Sequence, residues 1–120
     1  FIESEDNLSH EGDCWVSGEA MVFGNASASG DAKVSGNALV SGAAPVSENA
    51  HVYGDTQVYG DTAICDTARV FGNANVFGEA EVTGNAMVTG NAMVSGEAWV
   101  SGTAVISGDA TLSGDIRVRG

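Results

Sequence analysis

The chain has 120 residues, of which 16 are acidic and only four are lysine or arginine, so its formal net charge is −12. This charge argues against nucleic acid and anionic lipid as partners, because both are bound through a basic stripe. No apolar run reaches the roughly 18 residues that a membrane-spanning helix needs, and the first residues lack the basic start and apolar centre of a signal peptide. We therefore expect one small folded domain that binds neither nucleic acid nor membrane.

Residues 1–9, FIESEDNLS, lie outside the repeat that fills the rest of the chain. They are acidic, with Ile2 and Leu8 as candidate apolar anchors. An open end of a repeat protein exposes unpaired strand edges and core side chains. We predict that this segment caps the first coil and that the repeat domain comprises residues 10–120.

A six-residue pattern fills residues 10–120 and is clearest in VFGNAN, VFGEAE, VTGNAM, VTGNAM and VSGEAW at residues 70–99. Its first position is apolar in eighteen successive repeats, and its fifth is alanine throughout residues 20–110 except at Thr56 and Thr62. The fifth and the following first position are two residues apart, so in an extended strand both side chains point the same way, and we assign both to the interior. The sixth position lies between them and points outward.

Glycine fills the third position of nearly every repeat, and a polar residue usually follows it. Glycine supplies a backbone conformation that a Cβ opposes, so we predict a sharp turn every six residues. Short strands and corners then alternate to give a polygonal coil. The spacing alone leaves the number of sides and the hand of the coil open.

The pattern V-x-G-[ND]-A-x resembles the hexapeptide repeat of left-handed β-helix proteins. VYGDTQVYGDTA at residues 52–63 is similar to the repeats of the YdcK-like group and related bacterial and phage proteins, and the opening FIESEDNLSHEGDCWV resembles the segment that precedes them. The resemblance implies an all-β, single-stranded, left-handed parallel β-helix of triangular section, with three hexapeptides in each coil. About six coils, at about 4.8 Å each, would make a prism about 29 Å long in which residues 18 apart stack.

Aromatic residues fall in two outward columns of this register, with Tyr53 on Phe71 and Tyr59 on Phe77. Like side chains on neighbouring coils stiffen a sheet, which is the first interpretation of these columns. The alternative is an exposed apolar patch for self-association or glycan stacking, to which the outward Trp99 would add.

Four carboxylates at the fourth position of one corner form a further column, comprising Asp61, Glu79, Glu97 and Asp115. Like charges about 5 Å apart oppose folding and raise one another's pKa, and a bound Ca²⁺ would relieve this repulsion. The alternative is that these exposed side chains splay and bind no ion. An equivalent corner mixes Asn with Asp and Glu at positions 19, 37, 55, 73, 91 and 109, which permits amide ladders.

The glycine pattern breaks at Glu48 and Asp66, which are 18 residues apart and should be neighbours on one corner. His51 and Arg69 follow them by three residues and should also stack, with Lys33 one coil below. Local rules tend to fail at functional or strained sites, so His51, Glu48, Asp66 and Arg69 are the candidate catalytic residues. The alternative is a set of surface ion pairs, Glu48 with His51 or Arg69 and Asp66 with Arg69.

Other enzyme signals are absent from the sequence, which has no nucleophile elbow, phosphate-binding loop or closely spaced histidine pair. Hexapeptide-repeat acyltransferases have a loop that leaves the prism and a C-terminal helix, and the sequence shows neither. Cys14 is assigned to the interior and Cys65 to the surface nearly three coils away, too far for a disulfide. Free thiols suit a reducing compartment, and a phage or cell-surface appendage is the other location considered.

These observations predict a non-catalytic structural or interaction β-solenoid, either a rigid shaft or a self-assembling scaffold, without a cofactor. The C-terminal stretch SGDIRVRG stays in phase, so we expect a protein partner and in particular self-association, end to end or as a trimer. The competing hypotheses are an acyltransferase-like trimeric enzyme that acts on acyl-CoA and a Ca²⁺-dependent adhesion or surface module.

Overall fold

The structure is a computed structural model, and it describes Ile2 and residues 14–119. The predicted N-terminal cap lies outside the described residues apart from Ile2, which is half-buried and forms a parallel bridge with Val22. Residues 10–13 of the predicted repeat domain and Gly120 also lie outside them.

Short β-strands follow one another at intervals of six residues, and the described residues contain no helix. Each strand joins the sixth position of one repeat to the first position of the next, so an outward side chain precedes an inward one. The strands are β1 Trp15–Val16, β2 Met21–Val22, β3 Ser27–Ala28, β4 Lys33–Val34, β5 Leu39–Val40, β6 Pro45–Val46, β7 His51–Val52, β8 Gln57–Val58, β9 Ala63–Ile64, β10 Arg69–Val70, β11 Asn75–Val76, β12 Glu81–Val82, β13 Met87–Val88, β14 Met93–Val94, β15 Trp99–Ser101, β16 Val105–Ile106, β17 Thr111–Leu112 and β18 Arg117–Arg119.

Three parallel sheets of six strands form the three faces of a prism. Face A contains β1, β4, β7, β10, β13 and β16; face B contains β2, β5, β8, β11, β14 and β17; face C contains β3, β6, β9, β12, β15 and β18. Each strand pairs with the strand 18 residues further on, as Val34 does with Val52. The predicted parallel β-solenoid of about six coils is confirmed, with overall extents of 34 × 21 × 20 Å.

The corners of the prism are named by the faces that they join. The AB corner follows each strand of face A, the BC corner follows each strand of face B, and the CA corner follows each strand of face C. In a three-sided section each corner lies opposite the remaining face, so the BC corner lies opposite face A.

Hydrogen bonds between coils continue through the corners. The fourth-position N–H of Glu79 donates to the carbonyl of Gly96 in the next coil at 2.8 Å, and the same contact recurs around the prism. Gly96 has a φ of +67°, and a Cβ there would lie 2.6 Å from the backbone nitrogen of Gly114. Glycine is therefore required both by the left-handed conformation and by the close approach of the next coil.

The core is a column of first- and fifth-position side chains that runs the length of the prism. Valine or isoleucine fills most first positions, and alanine fills most fifth positions. Both sets are fully buried through the central coils, as the sequence pattern predicts. Burial ends in the last coil, where Ile116 is 40% exposed. The described residues include no helix long and apolar enough to cross a membrane.

Thr56 and Thr62 are the polar side chains buried in this part of the core, and both are 0% exposed. The Thr62 hydroxyl donates to the carbonyl of Tyr59 at 3.3 Å. The hydroxyl of Thr56, in contrast, has no hydrogen-bond partner among the residues that the structure describes. A buried hydroxyl without a partner costs about 1–3 kcal/mol of stability.

We expect Thr56→Val to raise the free energy of unfolding by about 1 kcal/mol, because valine keeps the volume and removes the unpaired hydroxyl. Urea unfolding followed by circular dichroism measures the change. Thr62→Val is the matched control. It should raise the free energy of unfolding by less than Thr56→Val does, or should lower it, because it removes the hydrogen bond to the carbonyl of Tyr59. A Thr56→Val protein that is less stable than the wild type would contradict this prediction.

Candidate functional site

Two aromatic pairs stand at the corners on either side of face B. The rings of Tyr53 and Phe71 have centroids 4.9 Å apart and planes 1° apart, and those of Tyr59 and Phe77 are 5.0 Å and 4° apart. These separations match the coil spacing, so the stacking follows from the 18-residue register. Each ring covers one face of its partner, and Tyr59 is exposed while Tyr53, Phe71 and Phe77 are half-buried. Their role in self-association or glycan binding stays a prediction.

The AB corner carries a ladder of amide and carboxylate side chains. Asn37 Nδ2 donates to Asp55 Oδ1 at 2.9 Å, Asn73 Nδ2 to Asn91 Oδ1 at 3.2 Å, and Asn91 Nδ2 to Asp109 Oδ1 at 3.0 Å. The amides separate the carboxylates of this corner, which limits charge repulsion between coils. The predicted amide ladder is confirmed.

The BC corner carries Asp61, Glu79, Glu97 and Asp115 in consecutive coils, all exposed, and we call this set the acidic column. A hydrogen bond to Asp115, followed by the charges of Asp115 and Glu79, raises the pKa of Glu97. The described residues contain no group of three or more His, Cys, Asp or Glu side chains placed to hold a metal ion. Calcium binding by the acidic column stays a prediction.

The raised pKa of Glu97 makes stability depend on pH. The folded state holds this proton more tightly than the unfolded chain, so this group adds stability as the pH falls through its raised pKa toward 4.5. We expect Glu97→Gln to melt at a higher temperature than the wild type near neutral pH, because it removes one charge and keeps a donor for Asp115. The difference should shrink at about pH 4, where the wild-type carboxyl is protonated.

Thermal melting at the two pH values tests this expectation. Glu19→Gln is the control, since the neighbour of Glu19 in its column is the amide of Asn37 and the substitution relieves less repulsion. An increase in melting temperature that is equal at both pH values would argue against charge repulsion as the cause.

Glu48 and Asp66 take left-handed backbone conformations, with φ values of 60° and 61°. At the third-position glycines a Cβ would point along the axis at the backbone of the next coil. Asp66 follows this direction, because its Oδ2 accepts a hydrogen bond from the N–H of Gly84 at 3.0 Å. The predicted ion pairs with His51 and Arg69 are therefore wrong, since none of them forms among the described residues.

Lys33, His51 and Arg69 lie side by side on β4, β7 and β10 of face A, and we call them the basic strip. Burial, followed by the charges of Lys33 and Arg69, lowers the pKa of His51. No ion pair joins Lys33 or Arg69 to a carboxylate within the described part of the chain. The structure thus brings His51 and Arg69 together, but with cations on both sides of the imidazole. This arrangement suits the binding of anions better than proton transfer.

A shallow groove lies beside the basic strip. It has a volume of about 280 Å³ and is lined by Thr67, Arg69, Asn85 and Met87. The Thr67 hydroxyl donates to the carbonyl of Gly84 at 3.0 Å and also contacts the side-chain oxygen of Asn85. The groove therefore lies where the CA corner meets face A, with polar Thr67 and Asn85 on the corner and apolar Met87 on face A one coil above Arg69.

Trp99 lies on face C, where it is 39% exposed. The guanidinium carbon of Arg117 is 5.2 Å from the ring centroid, and the indole N–H donates to Thr83 Oγ1 at 3.2 Å. With Ser101, Arg117 and Arg119, the ring lines a cavity of about 260 Å³. This cation–π contact was not predicted from the sequence, although the 18-residue spacing of Trp99 and Arg117 was a signal for it.

Cys14 and Cys65 form no disulfide with each other, as predicted, and both are half-buried. Cys14 packs against the hydrophobic core. Burial, followed by the charges of Asp66, Glu81 and Glu48, raises the pKa of the Cys65 thiol. A thiol with a raised pKa is a poor nucleophile near neutral pH, so Cys65 adds no candidate catalytic group.

Comparison with known families agrees with this geometry. Residues 32–48 match the family model described as the YdcK β-solenoid repeat. The chain contains a YdcK-like β-solenoid repeat. The match spans about one coil, from face A to the following CA corner, and the remaining coils repeat its strands and turns in the same register. No curated protein and no solved structure matches the chain.

Proposed function

We propose that this YdcK-like solenoid is a non-catalytic structural module, a rigid prism that spaces or supports protein partners. The observation that carries this proposal is the unbroken repetition of the coil. Strands recur every six residues from Trp15 to Arg119, with no loop inserted between them. Ligand pockets usually begin at about 300 Å³ and enclose most of the ligand. The cavities beside Arg69 and Trp99, of about 280 and 260 Å³, lie on open faces of the prism.

Several kinds of contact between coils support the rigidity of the prism. The buried first-position side chains pack from coil to coil, and backbone hydrogen bonds join the coils at the corners as well as in the sheets. The aromatic pairs and the amide ladder add side-chain contacts along two edges. Bending the axis would disturb all of these contacts together, so we expect a stiff rod.

Spin labels at the two ends of one column test the rigidity. In a Cys14→Ser and Cys65→Ser background, Ser17→Cys and Ser107→Cys would place labels five coils apart, about 24 Å along the axis. We expect a narrow distance distribution. A second pair, Ser17→Cys with Thr89→Cys, should shorten the mean distance by one coil spacing. A broad distribution for both pairs would contradict a rigid spacer.

The two competing functions are tested with the same protein. We expect calorimetric titration to show no acetyl-CoA binding and the melting temperature to be the same in Ca²⁺ and in EDTA. Acetyl-CoA binding that is lost in His51→Ala would favour the acyltransferase-like enzyme. A melting temperature that rises with Ca²⁺ and falls when the acidic column is changed to amides would favour the adhesion module.

A further inference from the structure

We propose that face A of one copy binds the BC corner of a second copy, so that the basic strip of the first lies against the acidic column of the second. This inference rests on the proposed structural function and names a partner for it. Three bases, Lys33, His51 and Arg69, would face carboxylates drawn from Asp61, Glu79, Glu97 and Asp115.

Charge complementarity is the first support for this contact. The chain has only four lysines and arginines against 16 acidic residues, yet two of the four stack with a histidine and form no ion pair among the described residues. The acidic column likewise lacks the amides that separate charges on the AB corner. Each ladder therefore places like charges next to one another in the isolated molecule. Those charges lower the pKa of His51 after the larger effect of burial, and they raise the pKa of Glu97 after the larger effect of its hydrogen bond to Asp115. Contact between the two ladders would relieve both.

The common coil spacing is the second support. Both ladders rise along the prism axis by one residue per coil, and the aromatic pairs measure that rise as 4.9 and 5.0 Å. Two copies with parallel axes therefore bring a carboxylate opposite each base over three successive coils. A ligand with a different repeat would lose this match after one or two contacts.

The aromatic pairs supply the apolar part of the contact. Tyr53 and Phe71 are two residues beyond His51 and Arg69 and lie on the same side of the chain, beside the basic strip. Tyr59 and Phe77 precede the first two members of the acidic column by two residues, in the same corner. Each charged ladder is thus flanked by one stacked aromatic pair, in which Tyr59 is exposed and the other rings are half-buried. Aromatic residues next to complementary charges are typical of protein interfaces.

The triangular section determines what such a contact would build. Face A and the BC corner lie on opposite sides of the prism, so the interface joins two different surfaces. A copy that is bound through its BC corner still has its own face A unoccupied. That face can bind the BC corner of a further copy. The expected product is an open row of parallel prisms whose length grows with concentration, and neither a closed dimer nor a trimer.

Charge-reversal variants test the contact by sedimentation velocity over a concentration series at about 0.15 M salt, where repulsion between the net charges is screened beyond about 8 Å. Wild-type protein should form species that grow with concentration. Lys33→Glu with Arg69→Glu should lose at least tenfold in association constant, and so should Glu79→Lys with Glu97→Lys. An equimolar mixture of the two double variants should associate again, because each then meets a complementary ladder on the other.

Two matched controls carry the same changes in net charge on other surfaces. Arg117→Glu with Arg119→Glu changes face C and its neighbouring corner, and Glu19→Lys with Glu81→Lys changes exposed acids outside the BC corner. Both should associate like the wild type. Circular dichroism spectra and melting curves check that all four variants fold.

Three outcomes would overturn the proposal: a wild-type protein that stays monomeric, loss of association in the basic-strip variant alone, or a mixture that fails to associate. Loss in the basic-strip variant alone would mean that face A binds an acidic surface of the second copy other than the BC corner. The spin-label distances separate this failure from failure of the structural function. A narrow distribution in a monomeric protein would keep the rigid spacer and discard only the pairing of copies.

Discussion

Gly96→Ala is expected to lower the free energy of unfolding by about 3 kcal/mol, because the added Cβ would clash with the backbone of the next coil and because the backbone at this position is left-handed. The added Cβ would stand 2.6 Å from the backbone nitrogen of Gly114, closer than real Cβ contacts allow. Relieving that clash means moving two coils apart at a corner where they are hydrogen-bonded, which costs about 1–3 kcal/mol. The left-handed backbone, with φ at +67°, adds about 1–2 kcal/mol for any residue with a Cβ.

Gly114→Ala separates these two contributions. Gly114 occupies the same position of the BC corner one coil later and has a φ of +71°, but an added Cβ would meet nothing within 4 Å. We expect Gly114→Ala to lower the free energy of unfolding by about 1 kcal/mol, which is the contribution of the left-handed backbone alone. Urea unfolding of both variants measures the difference. Equal losses would show that the approach of the next coil contributes nothing to the requirement for glycine.

Ile64→Ala is expected to be the second large effect, with a loss of about 2–4 kcal/mol. Ile64 is the largest fully buried side chain of the described core and lies on β9, in the middle of face C. Coils above and below hold the surrounding valines in place, so the cavity left by the substitution has little opportunity to collapse. The loss should therefore exceed the transfer free energy of the removed carbons alone.

Ile116→Ala is the matched control for the core, because it removes the same atoms at a site that is 40% exposed in the last coil. We expect it to cost less than about 1 kcal/mol. Thermal and urea unfolding of the two variants measure the comparison. Similar losses at both sites would mean that the prism is stabilised evenly to its end, contrary to the burial pattern.

Much of the fold follows from the sequence, because strand alternation is a local property of the chain. The apolar first position and the alanine at the fifth are two residues apart, so both must enter the interior wherever the backbone is extended. Spacing by 18 then places Asn73 over Asn91 and Tyr53 over Phe71, and those contacts are present. The triangular section itself came from the family resemblance, since a six-residue period is compatible with other numbers of sides.

The candidate site was less predictable, and the reason is the direction of side chains at the corners. The sequence placed Asp66 near Arg69, but the left-handed backbone turns its carboxylate along the axis to the N–H of Gly84. Which charges lack a partner is likewise a property of the assembled coils, as is the burial of an unpaired hydroxyl at Thr56.

The sequence by itself therefore determined the repeat and the core positions, because both depend on the local alternation of side chains. The columns of residues 18 apart also required the three-sided coil that the family resemblance implied. Only the tertiary structure placed the basic strip and the acidic column on opposite sides of the prism. That placement depends on closure of the coil after three strands, which brings together residues 18 apart and separates face A from the BC corner.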